Sequence, residues 1–199
     1  MLADDEKAGP RPVEPATKRA FEETVLPHLD AAYNFARYLT RNPDDAADVL
    51  QEASIRAFRF FGGFKGGNVR TWLLTIVRNT AYTWMASHRR GQVAAAVEDY
   101  GIERPLEPFA AVPWERLPDD PETRLLLAED RAALMDVIDR LTPEFREVLV
   151  LREIEEFSYR EIAEVAGVPV GTVMSRLARA RRQVQENWRR HVILQGGGR

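Results

Sequence analysis

Five prolines fall between positions 105 and 121 of this 199-residue chain. Proline removes a backbone donor and clashes with the preceding helical turn, so no regular element can run through such a stretch. Residues 91–121 therefore read as a linker, and it splits the chain into two units, 18–90 and 122–190. Residues 1–17 read as a disordered arm and 191–199 as a flexible tail. Each unit has roughly 70 residues, near the lower size for an independent hydrophobic core, so each is expected to be only modestly stable.

Within both units apolar residues recur at the helical period, with no alternating pattern of a strand. The expected fold class is all-α: two small helical domains joined by a flexible linker. Residues 18–41 form a helix that Pro27 is placed to break. Asn42-Pro43-Asp44-Asp45 is a helix start, with a cap, a first-turn proline and acids at the positive dipole end. That helix should reach about Phe60 and bury Ala46, Val49, Leu50, Ala53, Ala57 and Phe60. Gly62-Gly63 and Gly66-Gly67 bracket a loop, after which Asn68 caps a helix to about His88. The next helix buries Val69, Leu73, Ile76, Val77, Thr80 and Trp84, and turns Thr71, Thr75, Arg78, Asn79, Tyr82 and Arg89 outward. Helices over 122–140, 143–153, 159–166 and 170–190 complete the second unit.

Charge is segregated along the chain. Residues 18–90 carry net +4 and 165–199 net +6, while 91–130 carry net −7 and 131–164 net −4. Between Glu52 and Glu98 no acid occurs, against seven arginines and lysines. Two basic segments flanking an acidic one point to two polyanion-binding surfaces. Cysteine is absent, which excludes disulfides and thiolate metal sites and fits a reducing cytoplasm. The three histidines lack ligand spacing, so no metal or other cofactor is expected. No apolar run approaches the length of a membrane span, and the acid- and proline-containing N-terminus does not read as a secretory signal.

The segment SYREIAEVAG places Ser158 as a cap and Gly167 as a left-handed stop, and Val168-Pro169 leads into a longer basic helix. In that helix Val173, Leu177, Ala180, Val184 and Trp188 share an apolar stripe. Thr172, Ser175, Arg179 and Arg182 lie opposite, with Arg176 flanking. A short helix, a glycine turn and a basic second helix match a helix-turn-helix, whose second helix enters the major groove. Arginine can pair bidentately with guanine, and serine or threonine can bond base edges.

The run EFREVLVLREIEEFSYREIAEVAGVPVGTVMSRLARARRQV closely resembles the DNA-binding domain 4 of extracytoplasmic-function (ECF) sigma factors, in the sigma-70 superfamily. NPDDAADVLQEASIRAFRFF followed by FKGGNVRTWLLTIVRNTAYTWMASHRR resembles their domain 2. Both blocks occur in the family's order. The resemblance implies a subunit that binds core RNA polymerase, recognises a −35 element with domain 4 and opens a −10 element with domain 2. It implies β′ clamp helices as the partner of domain 2, the β flap as that of domain 4, promoter DNA, and an anti-sigma factor, often anchored in the inner membrane.

Carried onto this chain, the clamp-binding positions are Asp48, Gln51 and Glu52; Ile55, apolar among these carboxylates, suits the same patch. The loop Phe64-Lys65-Gly66-Gly67-Asn68 resembles the family loop that accepts a flipped base. Arg78 and Arg89 suit phosphates, and Asn79 and Tyr82 suit unpaired bases. Trp72, between the two faces of its helix, fits a wedge at the duplex junction and a packed core residue equally. Met174 stands where many relatives carry a basic or polar residue. The 31-residue linker can extend to roughly 100 Å, and elements two helical turns apart are separated by about 70 Å. One chain can therefore span both.

Two other classes compete. A regulator using only the helix-turn-helix would leave the Asp48, Gln51, Glu52 pattern without a purpose. An enzyme acting on DNA would need a nucleophile with a base or metal carboxylates, and no catalytic constellation of that kind is present.

Overall fold

The computed structural model describes the backbone of residues 15–95 and 133–196 and the side chains of 18–88 and 133–190. Every regular element among the described residues is helical. The first unit comprises α1 (Pro15–Val25), α2 (Leu29–Thr40), α3 (Pro43–Phe60) and α4 (Val69–Ala95). Short 3-10 turns at Leu26–His28 and Phe61–Gly63 join α1 to α2 and follow α3. The second unit comprises α5 (residues 133–139), α6 (Pro143–Glu153), α7 (Tyr159–Ala166) and α8 (Val170–Gly196).

The chain breaks where its local chemistry requires. Pro27 lies inside the 3-10 turn between α1 and α2. Arg41, at φ 66°, ends α2 in the left-handed conformation. Asn42 Oδ1 accepts from the N–H groups of Asp44 (2.8 Å) and Asp45 (3.2 Å), satisfying two orphan donors of α3. Asn68 does the same for α4, accepting from Arg70 and Thr71 at 3.0 and 3.2 Å. Ser158 and Glu161 form a reciprocal capping box on α7, and Gly167 closes that helix at φ 65°. Thr142 precedes α6 as its N-cap but makes no side-chain cap bond.

Helices α2, α3 and α4 pack together, as do α6, α7 and α8; α2 also packs on α6, and α4 on α7. Hence the buried residues of both units form one continuous core. Phe35, Leu39, Val49, Leu73 and Val77 come from the first unit, and Val148, Leu151, Ile162, Val173 and Leu177 from the second. Burying one such side chain stabilises by about 1.5–3 kcal/mol. Sharing a core relieves the size limit that two separate units would face.

Several sequence expectations need correction. Phe60 is 60% exposed. It is the last residue of α3, and the tighter 3-10 turn rotates Phe61 into its place, with Phe61 packing on Phe21 at 5.3 Å. Thr71 is buried rather than outward, because α4 is covered on a second side by α7. Helix α1 starts inside the N-terminal arm, α4 continues to Ala95, and α8 continues to Gly196 through part of the stretch read as a tail. The rest of the linker and the start of the 122–140 helix lie outside the described residues.

Candidate polymerase and nucleic-acid interfaces

Helix α3 buries Ala46, Val49, Ala53 and Ala57, which turns Asp48, Gln51, Glu52 and Ile55 to solvent. Ile55 is 50% exposed on this face, and Glu52 pairs along the helix with Arg56 at 2.8 Å. These four residues line one shallow hollow with Trp84 of α4. The helical period predicts Trp84 in the core. The structure leaves it half-buried, stacked on His88 at 4.3 Å, its covered indole N–H without a hydrogen-bond acceptor. An apolar ring and an exposed isoleucine beside carboxylates make a surface suited to another protein.

The loop before α4 sits against an aromatic cluster. Phe64 lies 5.1 Å from Trp72 and 6.2 Å from Phe61, while Phe61 and Phe58 pack edge-on against Phe21. Trp72 is thus half-buried as part of this cluster. Lys65 is exposed beside Gly66 and Gly67, both at positive φ, which keeps the loop backbone open to close approach.

Along α4, Asn79 is exposed, but Arg78 and Tyr82 are turned into a contact with the second unit. Arg78 Nε donates to Glu147 Oε1 at 2.5 Å, and the Tyr82 hydroxyl donates to Glu147 Oε2 at 2.7 Å. The Arg78 guanidinium also lies 4.5 Å above the Tyr82 ring and reaches Asn79 Oδ1 at 3.2 Å. Burial, and then the Glu147 carboxylate, push the Tyr82 phenol well above the usual tyrosine range. Asn68 Nδ2 donates to Glu161 Oε1 at 2.7 Å. Arg89 belongs to α4, but its side chain is outside the described residues.

Arg70 escaped sequence reasoning. It pairs with Glu155, donates to the Glu155 carbonyl at 3.0 Å and lies 5.0 Å above the Phe157 ring. Its place in an acid-free stretch was a signal, but its partner lies 85 residues away. Burial raises the Glu155 carboxyl above its ordinary range, against the pull of Arg70.

On α8, Val173, Leu177 and Ala180 are buried, and Ser175, Arg179 and Arg182 are exposed. Thr172 is half-buried, and its carbonyl accepts from the Ser175 hydroxyl at 3.0 Å. Arg176 is half-buried, with one covered guanidinium nitrogen that has no acceptor. Met174 is 54% exposed on the same helix. Arg181 is held back from this face by Glu153, at 2.6 Å.

No helix among the described residues is long and apolar enough to cross a membrane, and no cluster of metal-ligating side chains occurs among them. Family models for sigma-70 region 2 and sigma-70 region 4 match residues 24–91 and 131–184. The ECF RNA polymerase sigma factor SigE of Mycolicibacterium smegmatis is 34% identical over 179 residues, 88% of this chain, which spans 64% of that protein's length. The ECF RNA polymerase sigma-E factor of Haemophilus influenzae is 33% identical over 180 residues, covering 87% of this chain and 89% of that protein. Among solved structures, the sigma factor RpoE of Bartonella quintana, in complex with the anti-sigma factor NepR, matches with a TM-score of 0.66 and 25% identity. That match covers 86% of this chain and 98% of the other. With two sigma-70 regions in order on one all-helical scaffold, and relatives matched along most of its length, the chain belongs to the ECF sigma factors of the sigma-70 family.

Proposed function

We propose that this chain joins core RNA polymerase through the α3 face and directs initiation at promoters that carry matched −35 and −10 elements. In this reading Asp48, Gln51, Glu52 and Ile55 meet the β′ clamp helices, and the second unit meets the β flap. Helix α8 presents Thr172, Ser175, Arg176, Arg179 and Arg182 to the −35 element. Phe64, Lys65, Asn68, Trp72, Arg78, Asn79, Tyr82 and Arg89 serve the −10 strand. Domain 2 is taken as 18–90 and domain 4 as 122–190, and the polymerase, not this chain, performs the nucleotide chemistry. The chain acts in the cytoplasm, where an anti-sigma factor, in some cases held at the inner membrane, restrains it. The observation that carries the reading is the exposed Ile55 among Asp48, Gln51 and Glu52 on a helix whose other side is fully buried.

In vitro transcription with core polymerase on a genomic promoter library tests it directly: a defined promoter class should be transcribed only when this chain is present. Glu52→Lys should weaken association with core polymerase while circular dichroism stays unchanged. Unaltered affinity in a titration would remove the α3 face from the interface.

A further inference from the structure

The first three turns of α8 carry two outward rows of side chains with different chemistry. Val170, Met174 and Ala178 follow one another at four-residue spacing, so they form one ridge, and all three are exposed. Gly171, Ser175 and Arg179 form the neighbouring ridge, also exposed. The first ridge offers no hydrogen-bonding side chain, and Arg181, which borders it, is held by Glu153 at 2.6 Å. Met174 is 54% and Val170 37% exposed, although Val173 and Leu177 on the same helix are buried. Cations frame this apolar ridge. At its start Val170 lines a shallow hollow with Arg152 of α6 and Arg160 of α7, and Arg182 follows Ala178 one turn on. No atom lies within 4 Å of where a Cβ would stand at Gly171, which leaves the start of both ridges open to close approach.

We infer that the two ridges divide the −35 element between them: the polar ridge takes the hydrogen-bonding base edges, and Met174, flanked by Val170 and Ala178, recognises the C5-methyl group of a thymine. This deepens the −35 assignment made above and rests on it. Of the four bases in the major groove, thymine alone presents a methyl group, and an apolar side chain is its complement. Methionine is unbranched and polarizable, so its end can follow the methyl without imposing a fixed shape. A cation at position 174 would instead favour guanine or a phosphate and leave the methyl unread. The framing arginines select DNA over a protein as the occupant, since they suit phosphates on either side of a groove. The consequence is a −35 element with at least one A·T pair, placed where the first turns of α8 meet the bases.

The test uses holoenzyme reconstituted with the full chain and a promoter from the class it transcribes, with affinity read by electrophoretic mobility shift. Each thymine of the −35 element, on either strand, is replaced singly by deoxyuridine, which lacks only the C5-methyl group. Wild-type holoenzyme should bind about fourfold more weakly when one particular thymine, or either of two adjacent ones, is replaced, the scale of burying one methyl. Met174→Ala holoenzyme should bind the thymine and deoxyuridine duplexes equally. Met174 is exposed, so the variant should keep wild-type helicity. A wild type indifferent to every deoxyuridine overturns the inference, and so does a −35 element without A·T pairs. A Met174→Ala holoenzyme that keeps the full deoxyuridine penalty also overturns it; if that variant weakens all promoters alike, the ridge belongs to polymerase or to phosphates. Scrambling the −35 element separates the two levels. If scrambling costs wild-type affinity while deoxyuridine does not, the methyl reading alone fails, whereas indifference to a scrambled element defeats the −35 assignment beneath it.

Discussion

A methyl group added at Gly167 would meet no atom within 4 Å, yet the residue sits at φ +65° between α7 and α8. The constraint there is the backbone, not space. Gly167→Ala should therefore destabilise the fold by about 1–2 kcal/mol, measured as a shift in urea midpoint at unchanged slope. The arginines of α8 separate in the same residue-by-residue way. Arg179 is exposed within the first three turns of α8, and Arg190 lies near its far end, also exposed. Loss of a bidentate base contact costs about 1–3 kcal/mol and relaxes discrimination at one position. Arg179→Ala should flatten preference within the −35 element on a promoter-mutant panel with holoenzyme, and Arg190→Ala should have little sequence-specific effect. If Arg179→Ala lowers every promoter equally, it is a phosphate clamp.

At the scale of elements, α7 depends on a titratable cap. It has eight residues, and its N-terminus is held by the Ser158–Glu161 box. Hydrogen bonds from Ser158, side chain and then backbone, hold the Glu161 carboxyl below its ordinary value. A carboxyl lowered on folding contributes stability that is complete above its unfolded value. That contribution fades as pH falls through the lower folded value. Glu155, raised by burial, works in the opposite sense: its ionised form is penalised in the fold, and acid relieves that penalty. Glu161→Ala removes the carboxylate half of the box together with the bond it accepts from Asn68. The variant should lose about 1 kcal/mol near neutral pH, as for other N-terminal caps. The difference should narrow below the ordinary glutamate range, read from denaturant midpoints at a series of pH values. A difference independent of pH would assign the loss to packing.

At the scale of the whole molecule the joint between the units turns on Arg146, which is 2% exposed. It donates to Ile138, Asp139 and Leu141 carbonyls in its own unit, at 3.2, 2.8 and 2.8 Å. It also donates to Tyr38 and Leu39 carbonyls at the end of α2, at 3.1 and 3.3 Å. Those two carbonyls lie past the last donors of their helix: the next partner for Leu39 would be the N–H of residue 43, and Pro43 has none. A cation there also meets the negative end of the α2 dipole. Arg146→Met keeps volume but strands these acceptors, so it should destabilise by about 3 kcal/mol or more. Thermal unfolding should then split into two transitions as the units uncouple. A single transition with a small loss would show that apolar packing alone joins them.

The helices, their caps and the helix-turn-helix were legible in the sequence because they rest on local chemistry: Asn42, Asn68, Ser158 and Gly167 act on backbone groups within a few residues of themselves. The exposed α3 face was legible for the same reason, since a stripe of small residues at the helical period dictates which side faces out. What one helix sees across the molecule was not. Thr71, Arg78 and Tyr82 read as an outer face of α4 because sequence period distinguishes the side packed on α2 and α3 but is blind to a second covering by α7. Nothing in the local pattern singles out Arg146, Glu147 or Glu155. Their partners in the other unit lie 65 to 108 residues away in the chain. Whether a charge is solvated, paired or used as a latch depends on which desolvated groups the tertiary fold brings within hydrogen-bonding reach, and local periodicity carries no record of that.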